Sequence, residues 1–266
     1  MIPMMKTRLI LPLMASLFAP FCAAQEVKVP EKKNFQLFIL AGQSNMAGRG
    51  KVDEIARQTN PQVLALNKQL KWQLAVDPLH WDKSAAGTGI GKPFAEIVAA
   101  KNPGITIGLV PTACGGSPIK TWVPGATHDQ TKSKPWDDAM ERAKLAMKAG
   151  TLAAILWHQG EGDSNEKAAG EYEKRLEELI IRFRTELNAP DLPFIIGQLG
   201  RFPAKPWDAN REKVDAAQRA VAKKMKNVRF VEAEGLTSSD NLHFDTPSLR
   251  KLAQGYADAY FDIIKK

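Results

Sequence analysis

The sequence predicts one α/β domain, a three-layer α/β/α sandwich around a central, mainly parallel sheet. Three observations carry that expectation. Apolar runs of strand length recur at 35–40, 105–110, 152–157, 193–199 and 228–231. Between them lie helix-length segments, the clearest at 167–187, where Tyr172, Leu176, Leu179, Ile180 and Phe183 fall at helical spacing. Strands joined by helices of this length are parallel neighbours linked by crossovers, with helices on both faces of the sheet.

Taken in order, the chain begins with a segment unlike the rest. Lys6 and Arg8 precede an apolar stretch at 9–19, and Cys22-Ala23-Ala24 places small residues before Gln25. This reads as a secretory signal peptide over 1–24, since the apolar stretch is too short to span about 30 Å of hydrocarbon. Residues 25–266 then form one domain, with no linker-like tract or repeat inside it. The expected location is secreted or periplasmic, with no stable membrane association after cleavage.

After a polar lead-in comes the strand at 35–40, with Ser44 on the turn behind it. A short helix at 52–57 and a short strand at 63–66 follow. Residues 72–91, rich in tryptophan and glycine, read as a long functional loop. A helix at 93–100 has Pro93 in its first turn and Asn102-Pro103-Gly104 as its stop. Further helices are expected at 136–149, 208–225 and 247–264.

Cleavage removes two cations and no acid, so the formal charge of +8 falls by two and the mature chain is mildly basic. Its lysines are scattered over helix faces and form no basic and aromatic cluster, which argues against nucleic acid. Cys22 leaves with the leader, so Cys114 is alone and no intramolecular disulfide is available. The stretch Gly87-Thr88-Gly89-Ile90-Gly91-Lys92 fails as a phosphate loop, with Ala86 where a glycine is required and Pro93 in place of serine or threonine. His158, Glu161 and Asp163 fit no established metal-ligand spacing, so no metal or organic cofactor is expected.

In open parallel sheets, ligands sit beyond the carboxyl ends of the strands, and the candidate chemistry falls there. Ser44 stands at the break after the first strand as a candidate nucleophile. Gly42-Gln43-Ser44-Asn45-Met46 lacks the second glycine of a G-x-S-x-G elbow. Asp240 lies three residues before His243, a spacing that lets a carboxylate reach imidazole Nδ1 and leaves Nε2 to take a serine proton; an N-cap aspartate beside a surface histidine has the same appearance. Gly115-Gly116 offers backbone N–H groups, or a sharp turn. Gln159 offers a side-chain amide to a developing oxyanion, or a buried hydrogen-bond linker. Trp72, Trp81, Trp122 and Trp207 lie in expected loops, where they stack on sugar rings or anchor the loops themselves.

Gly42-Gln43-Ser44-Asn45-Met46, Gly115-Gly116-Ser117, Trp157-His158-Gln159-Gly160-Glu161 and Asp240-Asn241-Leu242-His243, in that order, resemble the sequence blocks of the SGNH/GDSL esterase superfamily. More narrowly, they resemble carbohydrate esterase family six acetylxylan esterases and sialate O-acetylesterase-like domains, over residues 35–257. The resemblance implies a flavodoxin-like α/β/α fold, with Ser44 as nucleophile, His243 as base and Asp240 as its orienting acid. It implies an oxyanion hole from the N–H of Ser44, a backbone N–H of Gly116 in preference to Gly115, and the Gln159 amide. Gln43, Asn45, Gly115, Glu161 and Asp163 are implied as supporting or substrate-facing groups. The implied activity is removal of O-acetyl groups from an acetylated polysaccharide or oligosaccharide, acetylxylan first. A sialate O-acetylesterase and a non-catalytic glycan-binding protein of the same fold are the alternatives.

Overall fold

A strand covered on both faces reads as an unbroken apolar run, and in β1 (Phe35–Gly42) every residue except Gln36 is buried. The computed structural model describes residues 27–265, so the expected signal segment lies outside the described residues. Within them β1 is the centre of a seven-stranded sheet. The other strands are β2 (Val63–Leu66), β3 (Trp72–Leu74), β4 (Thr106–Pro111), β5 (Thr151–His158), β6 (Phe194–Gly197) and β7 (Val228–Val231). Their order is β3-β2-β4-β1-β5-β6-β7, and every neighbouring pair is parallel except β2 with β3.

Side chains alternate across β1 with period two, and this divides the core. Phe38 and Leu40 join the layer made by α3 (Gly91–Lys101) and α7 (Thr246–Ile264). There Phe38 meets Phe94 and Tyr260 edge-on, each at 5.0 Å between ring centroids. Leu37 and Ile39 face the opposite layer, built from α4 (Pro135–Ala149), α5 (Glu166–Glu186) and α6 (Ala209–Lys224). The helix starts follow capping chemistry. Asn165, Asp208 and Asp245 accept first-turn N–H groups of α5, α6 and α7, and Pro135 opens α4. Two one-turn helices, α1 (Ser44–Ala47) and α2 (Glu54–Arg57), complete the set. Among the described residues no helix is long and apolar enough to cross a membrane.

The three-layer sandwich agrees with the sequence expectation; one element departs from it. Part of the expected loop at 72–91 is β3, an antiparallel edge strand paired to β2. Its turn is set locally: the Asn67 side-chain oxygen accepts the N–H groups of Gln69 and Lys71, and Leu70 takes a left-handed conformation with φ 56°. A three-residue strand is too short to show a period.

The β4–α4–β5 crossover passes over β1, so chain connections diverge on either side of the β1 carboxyl end, the switch point where such sheets place ligands. Gly42 closes that end. Its φ is +126°, and a Cβ there would lie 2.2 Å from the His158 carbonyl oxygen. Gly42→Ala should therefore lower the unfolding free energy by about 2–3 kcal/mol in urea titrations. Gly104→Ala, at φ +91° with nothing within 4 Å of its Cβ position, should cost only about 1 kcal/mol.

Candidate active site

Past Gly42 the chain turns at once. The Gln43 carbonyl accepts the N–H groups of Met46 and Ala47, which starts α1 at Ser44. Ser44 is 8% exposed, at the wall of an open cavity of about 630 Å³ that also exposes Gln43, Gly116, Glu161, Lys83 and His243. Its Oγ stands 3.1 Å from His243 Nε2, and His243 Nδ1 is 2.6 Å from Asp240 Oδ2. The serine, histidine and aspartate singled out from sequence are thus in line, 199 residues apart at the serine–histidine contact.

The loop carrying the last two is built around the aspartate. Asp240 Oδ1 accepts the N–H groups of His243 at 2.7 Å and Leu242 at 2.9 Å, while Asn241 adopts a left-handed conformation at φ 60°. Partial burial pushes the Asp240 carboxyl up, but the hydrogen bonds from the His243 backbone, the His243 ring and Leu242 outweigh it. The net effect holds it well below the usual carboxylate range. A charged acceptor at Nδ1 is what an imidazole needs if it is to carry a proton on Nε2.

Asn45 ties this loop to the strand ends. Its Oδ1 accepts Phe244 N–H at 3.0 Å, and its Nδ2 donates to Glu161 Oε1 at 2.6 Å. Burial pushes the Glu161 carboxyl up, against the opposing hydrogen bond from Asn45.

The glycine pair divides its work. Gly115 N–H donates to Asp82 Oδ2 at 2.8 Å, and the same oxygen receives Arg49 Nη2 at 2.8 Å. A Cβ on Gly115 would come within 2.6 Å of both partners. With Gly115 occupied, Gly116, at φ +82°, presents the N–H that has no partner among the described residues. Ser44 is the first residue of α1, so its N–H is one the helix leaves unused.

Gln159 differs from the expectation. It is fully buried and does not form part of the cavity wall. Its Nε2 faces Asp163 Oδ2 at 2.6 Å, the Ser117 carbonyl at 3.1 Å and Gln43 Oε1 at 3.2 Å, while its Oε1 accepts the Tyr172 hydroxyl at 2.9 Å. The two amide hydrogens are spent behind the cavity. Asp163 is equally internal, accepting Ile119 N–H at 2.7 Å. His158 turns away from Glu161 and Asp163, buried against Tyr256 and Phe244.

None of the four tryptophans considered for sugar stacking lines the cavity. Trp122 is in the core, edge-on to Trp157 at 5.1 Å, and Trp72 packs on Phe35. Trp81 and Trp207 lie under the guanidinium groups of Arg142 and Arg201. The Arg49–Asp82 pair behind the glycine loop escaped sequence reasoning, because nothing in either residue's neighbourhood announces a partner 33 positions away.

A hydroxyl, an imidazole and a carboxylate thus stand in line at the carboxyl edge of the sheet of a three-layer α/β/α sandwich, without a nucleophile elbow. Residues 34–262 match the family model described as carbohydrate esterase, sialic acid-specific acetylesterase. The chain belongs to that family, and is a carboxylic ester hydrolase of the carbohydrate esterase kind. It is 35% identical over 257 residues to a probable carbohydrate esterase of Arabidopsis thaliana, spanning 88% of this chain and 93% of that protein. A crystal structure from Arabidopsis thaliana superposes with a TM-score of 0.76 at 34% identity, covering 86% of this chain and 98% of that one. A carbohydrate acetylesterase from Xanthomonas citri shares the fold, with a TM-score of 0.69 at 18% identity, covering 86% of this chain and 56% of that one.

The buried histidines have a consequence for acid stability. Burial lowers His158 from 6.5 to about 3 and His80 from 6.5 to about 4. Below pH 6.5 the unfolded chain takes up protons that these rings refuse, so their contribution to stability falls as pH drops towards their folded values. Asp77, which burial raises from 3.8 to about 7, works the other way, binding a proton in the folded state before the unfolded chain does. The histidine contribution is therefore read from a difference: in urea titrations from pH 7 down to pH 4, His158→Gln should gain stability relative to wild type as the pH falls, and parallel profiles contradict the assignment.

Proposed function

We propose that the chain is a serine esterase that removes O-acetyl groups from carbohydrate through an acetyl-enzyme on Ser44. The observation that carries this reading is the unbroken contact from Ser44 Oγ to His243 Nε2 and from His243 Nδ1 to Asp240, opening on the cavity. Ser44 Oγ attacks the acetyl carbonyl as His243 Nε2 takes its proton, and Asp240 stabilises the imidazolium. The N–H groups of Ser44 and Gly116 face the developing oxyanion. Collapse breaks the bond to the sugar oxygen, which leaves with the proton from His243. Water, deprotonated by the same ring, then releases acetate and restores Ser44.

Acetylated xylan is the first substrate of this reading, because an open cavity at the strand ends admits a polymer and the leader directs the enzyme towards one. Lys83 favours a second, an O-acetylated sialic acid. Its ammonium lies at the cavity wall bonded to the neutral Gln130 amide at 2.8 Å, with no ion pair among the described residues, so it is available to a sugar carboxylate.

Acetate release should be compared across acetylated xylan, O-acetylated sialoglycan and a short-chain lipid ester. Wild type should work fastest on xylan, and Ser44→Ala should lose about 10⁴-fold or more. A Ser44→Ala rate equal to wild type would sink the nucleophile assignment. If sialoglycan leads, and Lys83→Gln lowers that rate more than the xylan rate, the second substrate replaces the first.

Export belongs to the same reading, resting on the charged, apolar and small-residue succession over 1–24. N-terminal sequencing of protein recovered outside the cytoplasm should begin at Gln25; an intact Met1 would refute the leader.

A further inference from the structure

An oxyanion hole in this site has two backbone donors, from Ser44 and Gly116, and the amide expected to complete it, Gln159, is spent behind the cavity. Gln43 presents the alternative. Its side chain is in the cavity wall beside Ser44, and its Oε1 accepts two donors, Gly162 N–H at 3.1 Å and Gln159 Nε2 at 3.2 Å. A primary amide has one acceptor end and one donor end. With the acceptor end anchored on the turn that follows β5, the donor end points the other way, and Gln43 Nε2 has no acceptor among the described residues. It is also not among the buried polar atoms left without a partner, so it reaches the cavity. We propose that Gln43 Nε2 is the third donor of the oxyanion hole, a catalytic residue, with Gln159 and Asp163 as the positioning residues that fix its orientation. The proposal rests on the acetyl-enzyme reading above.

The orientation of the Gln43 amide is decided by groups that have no freedom to reverse. The single hydroxyl hydrogen of Tyr172 faces the Gln159 carbonyl oxygen and Gln159 Oε1, its oxygen 2.9 Å from each. The acceptor atoms facing Gln159 Nε2 are a carboxylate and a backbone carbonyl. Gln159 is therefore held with nitrogen towards Gln43, and the Gly162 N–H adds a second donor on the same Gln43 oxygen. A flipped Gln43 would set two N–H groups against its own NH₂ and turn an acceptor towards the place where negative charge develops. Gly162 also makes the space: a Cβ there would stand 3.3 Å from Gln43 Oε1.

Gln43→Ala and Gln43→Glu test this, the second keeping the acceptor that Gly162 and Gln159 bind while removing the donor. Removing one oxyanion donor lowers kcat by about 10²–10³-fold. Both variants should show that loss on 4-nitrophenyl acetate and on acetylated xylan alike, with KM within about three-fold of wild type. Affinity for a boronic acid that forms a tetrahedral adduct on Ser44 should fall with kcat, while Gln43→Glu melts near the wild-type temperature. The proposal is overturned if kcat is kept, or if kcat falls while boronate affinity holds. It is also overturned if activity in both variants follows the melting temperature alone. A wild type that releases no acetate and binds no boronate overturns the acetyl-enzyme reading itself, a result distinct from a Gln43 defect in an active enzyme.

Discussion

The site depends on how the carboxyl ends of β1 and β5 are pinned together. Gly42 pairs with His158 in register, and Gln43 N–H donates to the His158 carbonyl oxygen at 2.9 Å. No side chain fits between them, which is why the strand ends on a glycine. From that junction two segments leave the sheet side by side. One carries Gln43, Ser44 and Asn45; the other carries Gln159, Glu161 and Asp163. Each bond between them, Asn45 to Glu161 and Gln43 to Gln159 and Gly162, requires the strand ends to be in this register. A slip of one residue would exchange the faces of β1 and scatter all three contacts.

The two carboxylates nearest the histidine show how environment separates residues of one chemistry. Asp240 is half-exposed, yet three N–H donors converge on it and keep it ionised. Glu161 has one side-chain partner, Asn45, and its other oxygen has none among the described residues, so desolvation prevails. Only the first is equipped to support charge on the imidazole. Arg49 and Asp82 follow a third pattern, a nearly buried ion pair. Buried pairs of this kind add little net stability. This one holds the Gly115 amide, so its effect falls on the conformation of the loop.

Much of this was legible in the sequence because it rests on periodicity and on strand ends. The apolar run of β1, the helical stripe of α5 and the serine, aspartate and histidine at chain breaks are local signals. The comparatively silent parts are those decided at a distance. β3 is too short for a pattern. Trp122 sits on a short turn, as a loop tryptophan would, but it is buried, Ser117 takes its indole N–H at 3.0 Å and Trp157 packs against it in a T-shaped contact. Gln159 stands where a donor was expected; its residue type and position are right, and its direction is set by Tyr172 on α5 and Asp163 on the turn before it. Sequence reasoning named both possibilities for Gln159 without the partners that choose between them.

Those partners also explain why the donor would fall to the residue before the nucleophile. A fully satisfied buried polar network is stiff, because every member that moves leaves another unpaired in a medium where that is costly. Gln159, Asp163, Tyr172, Gln218 and Ser117 form a connected network beneath the strand ends, in which Gln218 Nε2 donates to the Gln159 carbonyl at 2.7 Å and, of these side chains, only Gln218 Oε1 is buried without a partner. Gln43 is its outermost member, held at the oxygen and open at the nitrogen. Because Gln43 and Ser44 are consecutive, covalent geometry fixes the origins of both side chains, and the network removes the remaining freedom of the amide. Preorganisation of a donor requires that its orientation be settled before charge develops. Here the orientation is settled from behind, by groups that never meet the substrate.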